Sequence, residues 1–184
     1  MKNKHPSREE CFLMLKEYQT PEHVIRHCVA VTDVALSIAE ALMGKGYIFD
    51  LDLIQSAGLI HDIARVKEKH WLIGAEIALQ HGYAQEAEII REHMKHPFDT
   101  DPEKLTELDM VCLGDRLILE DEYVGLDRRM QYVINKAKGD KAIEQLIRTR
   151  KEFTRALIRN IENIIGKSID DLIKNERKEL NENT

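Results

Sequence analysis

An adjacent histidine and aspartate, His61 and Asp62, stand near the end of a mostly apolar run, LIQSAGLIHDIA at residues 53–64. An imidazole and a carboxylate at the inner end of a buried helix must be partnered. Burying a polar group unpaired costs roughly 2–7 kcal/mol. A divalent metal ion satisfies both groups at once. Four further residues could complete such a site: His27, His70, His93 and Asp115. Taken singly, a histidine on an apolar face reads as a core residue bonded to a carbonyl. Asp115 is harder to explain that way, because ionised carboxylates are rarely buried unless paired or on a metal. Six such residues spread over five helices are most economically one cluster, built from facing helices in a bundle core.

The donor types narrow the chemistry. Imidazoles and carboxylates without a thiolate suit Fe, Mn, Ni, Co, Mg or Zn with open positions, rather than a closed structural zinc site. One or two ions per chain are expected. His27, His61, Asp62 and Asp115 would hold the first, and Asp62, His70 and His93 the second, with Asp62 bridging. His96 could be a third ligand of the second ion, a substrate contact or a plain loop residue. Two ions about 3.5–4 Å apart clamp a hydroxide and a phosphoryl oxygen.

The elements that must position these residues read as helices. Ser7 and Glu10 have capping-box spacing for a first helix to about Tyr18, packed as a lid. Thr20 reads as an N-cap and Pro21 as the first helical residue of a long helix to about Met43. His27, Val31, Val34, Ile38 and Leu42 share its apolar stripe. Asp50 or Asp52 caps the helix that delivers His61 and Asp62. His70 opens the next, which ends at Gly82, and His93 lies on a helix over about 84–95 beside Ile89 and Ile90. A loop over 97–104 precedes a helix to about Glu120, with Asp115 amid Val111, Cys112 and Ile118. Three charged amphipathic helices follow, over about 127–137, 140–165 and 168–178, with the final NERKELNENT fraying. No alternating strand pattern stands out. The expected fold is all-α: an N-terminal helix (1–19), a metal-binding helical core (20–125) and a helical extension packed on it (126–184).

Composition excludes several classes. The net charge is −6, from 27 basic and 33 acidic residues, which argues against general nucleic-acid binding. The basic run at 148–159 lacks an aromatic platform for stacking bases. Three scattered cysteines, Cys11, Cys28 and Cys112, fit a reducing compartment. The polar start MKNKHPSREE does not resemble a signal peptide, and no apolar run approaches the ~18 residues of a membrane span. A cytoplasmic location is expected, and a homodimer is compatible with the sequence.

His27 in HCVAV, His61-Asp62 in LIHDIAR and Asp115 in CLGDRLIL together resemble the H…HD…D signature of the HD-domain metal-dependent phosphohydrolases. The resemblance covers about residues 20–125. His70 and His93 are similar to the added ligands of the dinuclear branch, which includes small bacterial enzymes that cleave dinucleoside polyphosphates. The resemblance implies a helical bundle that hydrolyses a phosphoester or phosphoanhydride in a small, nucleotide-like substrate by metal-activated hydroxide. In the mononuclear nucleotidase branch an acidic residue stands four positions after the motif histidine. Here that residue is Arg65, which favours activation by the metals and leaves Arg65 either to hold a phosphate or to face solvent. Lys95 and Arg116, each next to a ligand candidate, could also reach a phosphate. The catalytic assignments are therefore Asp62 and Arg65. Lys95, His96 and Arg116 join Arg65 as substrate contacts. Two other readings stay open: a di-iron oxygenase on the same scaffold, and a non-catalytic metal- or ligand-binding module.

Three signals mislead. Gly166-Lys167-Ser168 looks like the end of a phosphate-binding loop, but Ile161 stands where that motif needs glycine. His81 precedes the terminal Gly82 and serves a helix end. His23 lies one turn before His27, shares part of its stripe and could be mistaken for the ligand, but the register of the resembled family, with Val31 four residues after the histidine and Ala35 four later, favours His27.

Overall fold

A computed structural model describes residues 5–182. The elements in order are α1 (Arg8–Glu17), α2 (Glu22–Met43), α3 (Leu51–Ile60), α4 (His70–Gln80), α5 (Ala84–Glu92), a 3-10 turn (Pro102–Lys104), α6 (Glu107–Leu117), β1 (Ile118–Leu119), β2 (Glu122–Tyr123), α7 (Gly125–Lys136), α8 (Lys141–Ile165) and α9 (Ile169–Glu182). The fold is all-α apart from the two-residue ribbon, in which Ile118 pairs Tyr123. Too short to show an alternating pattern, that ribbon was not legible from sequence. Among the described residues no helix is long and apolar enough to cross a membrane.

Local chemistry sets the helix starts. The Ser7–Glu10 capping box opens α1, Asp50 accepts from Leu53 N–H to open α3, and Thr106 with Asp109 boxes α6. At α2 the expectation shifts by one residue. Pro21 is the N-cap, and the Thr20 hydroxyl instead donates to the Ile63 carbonyl, 2.8 Å away. That bond pins the turn after α3 to the start of α2. The α5 helix ends at Glu92, short of the expected Lys95, while α9 runs on through Glu182. Of the segment expected to fray, residues 183–184 lie outside the described residues, as do 1–4.

The helices pack around two apolar cores. The first gathers Ile38 and Leu42 of α2, Ile54 of α3, Leu113 of α6, Met130 of α7, and Leu157 and Ile161 of α8. The second gathers Leu15 of α1, Leu59 and Ile60 of α3, Ala75 of α4 and Ile90 of α5. Helix α3 belongs to both, so its apolar residues cover most of its surface and leave only a side with Asp52 exposed and Gln55 half-buried. Two glycines let its neighbours close in. A Cβ on Gly58 would stand 2.6 Å from Thr32 Oγ1 in α2, and one on Gly114 the same distance from the Val31 carbonyl. Ahead of α1, His5 bonds Glu86 (2.6 Å) and Asp50 (3.1 Å), a tie invisible in the polar N-terminal sequence. Asp127 joins α7 to α8 through Lys151 (2.6 Å) and Arg155 (2.8 Å).

Candidate metal centre

His61 and Asp62 lie in the turn just beyond α3, not within the helix. Adjacent residues on a helix diverge by about 100° and cannot converge on one point. The turn lets both face the same interior site. His61 donates Nδ1–H to the Gly58 carbonyl at 2.7 Å, and His93, at the end of α5, does the same to Ile90 at 2.7 Å. Each imidazole thereby satisfies a carbonyl that its own helix leaves unbonded at the C-terminus. His27 donates Nδ1–H to Glu120 O at 2.6 Å, across to the ribbon. A carbonyl can only accept, so the proton on each ring sits at Nδ1, and Nε2 carries its lone pair unless the ring is also protonated there. His70, first residue of α4, places Nε2 3.2 Å from Arg65 Nη1 and 3.1 Å from Asp62 Oδ1, so it accepts from the one or donates to the other according to its tautomer.

These four nitrogens converge on two carboxylates. Asp62 Oδ2 stands 3.7 Å from His61 Nε2 and 4.0 Å from His27 Nε2, while Oδ1 stands 3.1 Å from His70 Nε2 and 3.9 Å from His93 Nε2. Asp115 Oδ1 lies 3.2 Å from His27 Nε2. The donors thus form two groups, His27–His61–Asp115 and Asp62–His70–His93, each within 4.8 Å. Donor atoms around one ion, with bonds of about 2.0–2.2 Å, are themselves roughly 3–4 Å apart. Among the described residues, His61 Nε2 and Asp62 Oδ1 are buried without a well-aligned hydrogen-bond partner. Acceptors gathered around acceptors, with two buried atoms unsatisfied, is the arrangement a cation resolves. The residues therefore fit a metal, with Asp62 offering one oxygen to each group.

The electrostatics agree with ligand duty. Burial would raise the Asp62 pKa, but the surrounding imidazoles, His61 first, and Arg65 hold it well below the usual carboxylate range. Asp115 is likewise held low against burial by His27 and Arg129. Burial, aided by His61, lowers His93 to about 4, so its imidazole is neutral near pH 7, the form a metal would need.

A cleft of about 550 Å³ opens over the centre, lined by His27, Asp62, Arg65, His93, Asp115 and Arg116 among others. Arg65 is half exposed and lies 3.4 Å from Asp62 Oδ2 through Nε. Arg116 packs its guanidinium over Phe98, 4.8 Å from the ring centre. Two expected contacts lie elsewhere. Both nitrogens of His96 are spent in the 96–109 loop: Nδ1 accepts from Phe98 N–H at 3.1 Å, and Nε2 meets Asp109 Oδ1 at 3.0 Å. His96 is neither a third ligand nor a substrate contact here, because it serves the buried Asp109. Lys95 is exposed, pairs with Glu92 at 3.5 Å, and does not line the cleft.

The sequence reading missed the far wall of the cleft. Arg129, Tyr132 and Lys136 of α7 and Arg150 of α8 line it. Arg129 Nη2 stands 3.5 Å from Asp115 Oδ1, and its Nε donates to the Asp115 carbonyl at 3.3 Å. A signal existed: Arg129 falls on the helical face of Leu126, Met130 and Val133. Within a strongly charged helix it passed as solvated.

A family model described as HD domain matches residues 24–120, more than half of the chain. An uncharacterised protein of Methanocaldococcus jannaschii is 38% identical over 74 residues, 39% of this chain and 44% of that one. Proteins named tRNA (cytidine(56)-2'-O)-methyltransferase match more extensively: one of Picrophilus torridus is 25% identical over 92% of this chain and 50% of its own. One of Thermoplasma volcanium is 22% identical over 91% of this chain and 50% of its own. The chain spans about half, or less, of the length of these relatives. No solved structure matches it.

Proposed function

The chain belongs to the HD domain family, and from that premise we propose that it is a metal-dependent phosphohydrolase acting on a small phosphorylated substrate. The single observation that carries this reading is the division of Asp62. One carboxylate oxygen faces His27 and His61, and the other faces His70 and His93. A shared carboxylate between two histidine groups supports a two-ion centre. HD domains bind divalent metals; which metal this one holds is set by the nitrogen-and-oxygen donor set, which admits Fe, Mn, Co, Ni, Zn or Mg.

His27, His61 and Asp115 would hold one ion and His70 and His93 the other, with Asp62 between them. When bound, the ions supply Lewis acidity that lowers the pKa of water to about 7 and neutralises charge on a phosphoryl oxygen. The protein does the rest. Nδ1–H bonds to Gly58, Ile90 and Glu120 fix the orientation of His61, His93 and His27 and raise their basicity. Arg65, at the mouth of the cleft, is placed to bind phosphate oxygens in its planar fork. Arg116 adds positive charge on the opposite side of Asp115.

A nucleotide is the substrate class we favour, in the manner of the dinucleoside polyphosphate hydrolases. The tRNA-directed names of two relatives put ribonucleotides first among those to try. Their methyltransferase name describes proteins twice as long, and the cluster of imidazoles and carboxylates supports hydrolysis instead. The test combines elemental analysis with turnover of nucleoside mono-, di- and polyphosphates and a generic phosphate monoester. About two ions per chain and metal-dependent phosphate release, both abolished in Asp62→Ala with helical content retained, would bear the reading out. Full turnover by a metal-free Asp62→Ala protein would sink it.

A further inference from the structure

The far wall of the cleft carries more positive charge than the centre accounts for. Arg129 is engaged by Asp115, and Lys136 packs on the Tyr132 ring, 4.4 Å from its centre. Arg116 and Arg150 are different. Arg116 meets Met130 Sδ at 3.3 Å and the Phe98 face, and Arg150 meets the Met94 carbonyl, at 3.4 Å. Among the described residues no carboxylate pairs with either. Both are half-buried and line the same cleft. In a chain of net charge −6, two guanidiniums line one cleft, Arg116 only partly offset by the neighbouring Asp115 charge, and the pair favours an anion there. Their placement is specific as well. Arg116 adjoins Asp115 in sequence, and Arg150 touches the residue after His93, so the two flank the two ligand groups.

We propose that Arg116 and Arg150 form a second phosphate subsite beside the metal centre, so that the preferred substrate carries at least two phosphates. The reacting phosphate lies at the metals, and its neighbour lies between the two guanidiniums, which bind phosphate oxygens bidentately. The assignment rests on the phosphohydrolase reading of the centre. It adds a role for α8, which lies beyond the residues matched by the family model. That helix, with Arg116 of α6, then sets substrate choice, and a monophosphate leaves the second subsite empty.

The test is calorimetric binding of adenosine α,β-methylene diphosphate and of AMP to the metal-loaded full chain. The wild-type protein should prefer the diphosphate analogue at least tenfold. Arg150→Gln, on an exposed stretch of α8, should reduce that preference at least fivefold, and Arg116→Gln should do the same. Equal affinity for the two ligands in the wild type would overturn the subsite, as would a preference undiminished in both variants. The outcomes separate this proposal from the one beneath it. A diphosphate preference that depends on both arginines, in a protein that hydrolyses no phosphate ester or anhydride, supports the subsite and defeats the hydrolase. Monoester turnover without a diphosphate preference does the reverse.

Discussion

Arg129 of α7 grips Asp115 of α6 twice, through Nη2 on the side-chain oxygen at 3.5 Å and through Nε on the backbone carbonyl at 3.3 Å. Asp115 is the donor that comes from furthest along the chain, and this double contact fixes both its backbone and its carboxylate. The C-terminal helices thus reach into the centre that the preceding helices build.

Removing that grip should weaken the metal without dismantling the fold. Partners behind ligands are worth about 10–100-fold in metal affinity. Arg129→Gln should therefore lower affinity by that factor while helical circular dichroism is unchanged, as read by titration against a chromophoric chelator.

The two ligand groups should be separable. His70→Ala and His93→Ala each touch only the second group, and His27→Ala only the first. Each variant should fall from about two ions per chain to about one, whereas Asp62→Ala should lose both. Elemental analysis of the four proteins decides this, and a uniform loss of both ions in every variant would contradict two distinct groups.

Gly114 admits no side chain. Its Cβ would meet the Val31 carbonyl at 2.6 Å, a backbone atom that cannot swing aside. Gly114→Ala should destabilise the protein by about 1–3 kcal/mol and push Asp115 off His27. A lowered denaturation midpoint together with reduced metal content is the expected pair of results.

Acid should act through Asp109. Burial opposes its ionisation, but His96, Thr100 and Thr106 hold its pKa below the ordinary carboxylate value. A depressed pKa means that its contribution is complete above about pH 4, the value for an unfolded aspartate. The contribution is lost as pH falls through the lower folded value. Asp109→Asn should cost about 1–3 kcal/mol near pH 7, with the gap from wild type narrowing below pH 4. Urea melts at several pH values would show it.

The site was legible in the sequence where residue type conflicted with surroundings. His61, Asp62, His27 and Asp115 are polar residues on apolar faces, and the pattern is short-range. The helices were legible for the same reason, from their 3.6-residue periodicity and their capping residues. What escaped depends on contacts distant in sequence. Nothing near His27 announces that Glu120, 93 residues on, will orient it. Arg129 and Arg150 sit in helices rich in charge, so the pattern could not tell which would turn inward. His96 stayed open in the sequence among third ligand, substrate contact and loop residue, because its partner, Asp109, looked like an ordinary helix-start residue.

The two apolar cores share α3 and α5, and the six donors gather beside the place where they join. His27 and Asp115 stand on helices of the first core, and His70 and His93 on helices of the second, with His61 and Asp62 at the joint. Ions bound there would act as rivets between the two halves, adding to the apolar contacts that α3 already makes with both. A calorimetric scan should then show two separate melting steps for stripped protein, merging into one at higher temperature once metal is restored. Proteases attack whichever half opens first. The steady amount of this protein in a cell would follow its metal supply, making scarcity a matter of turnover by degradation as well as of idle active sites.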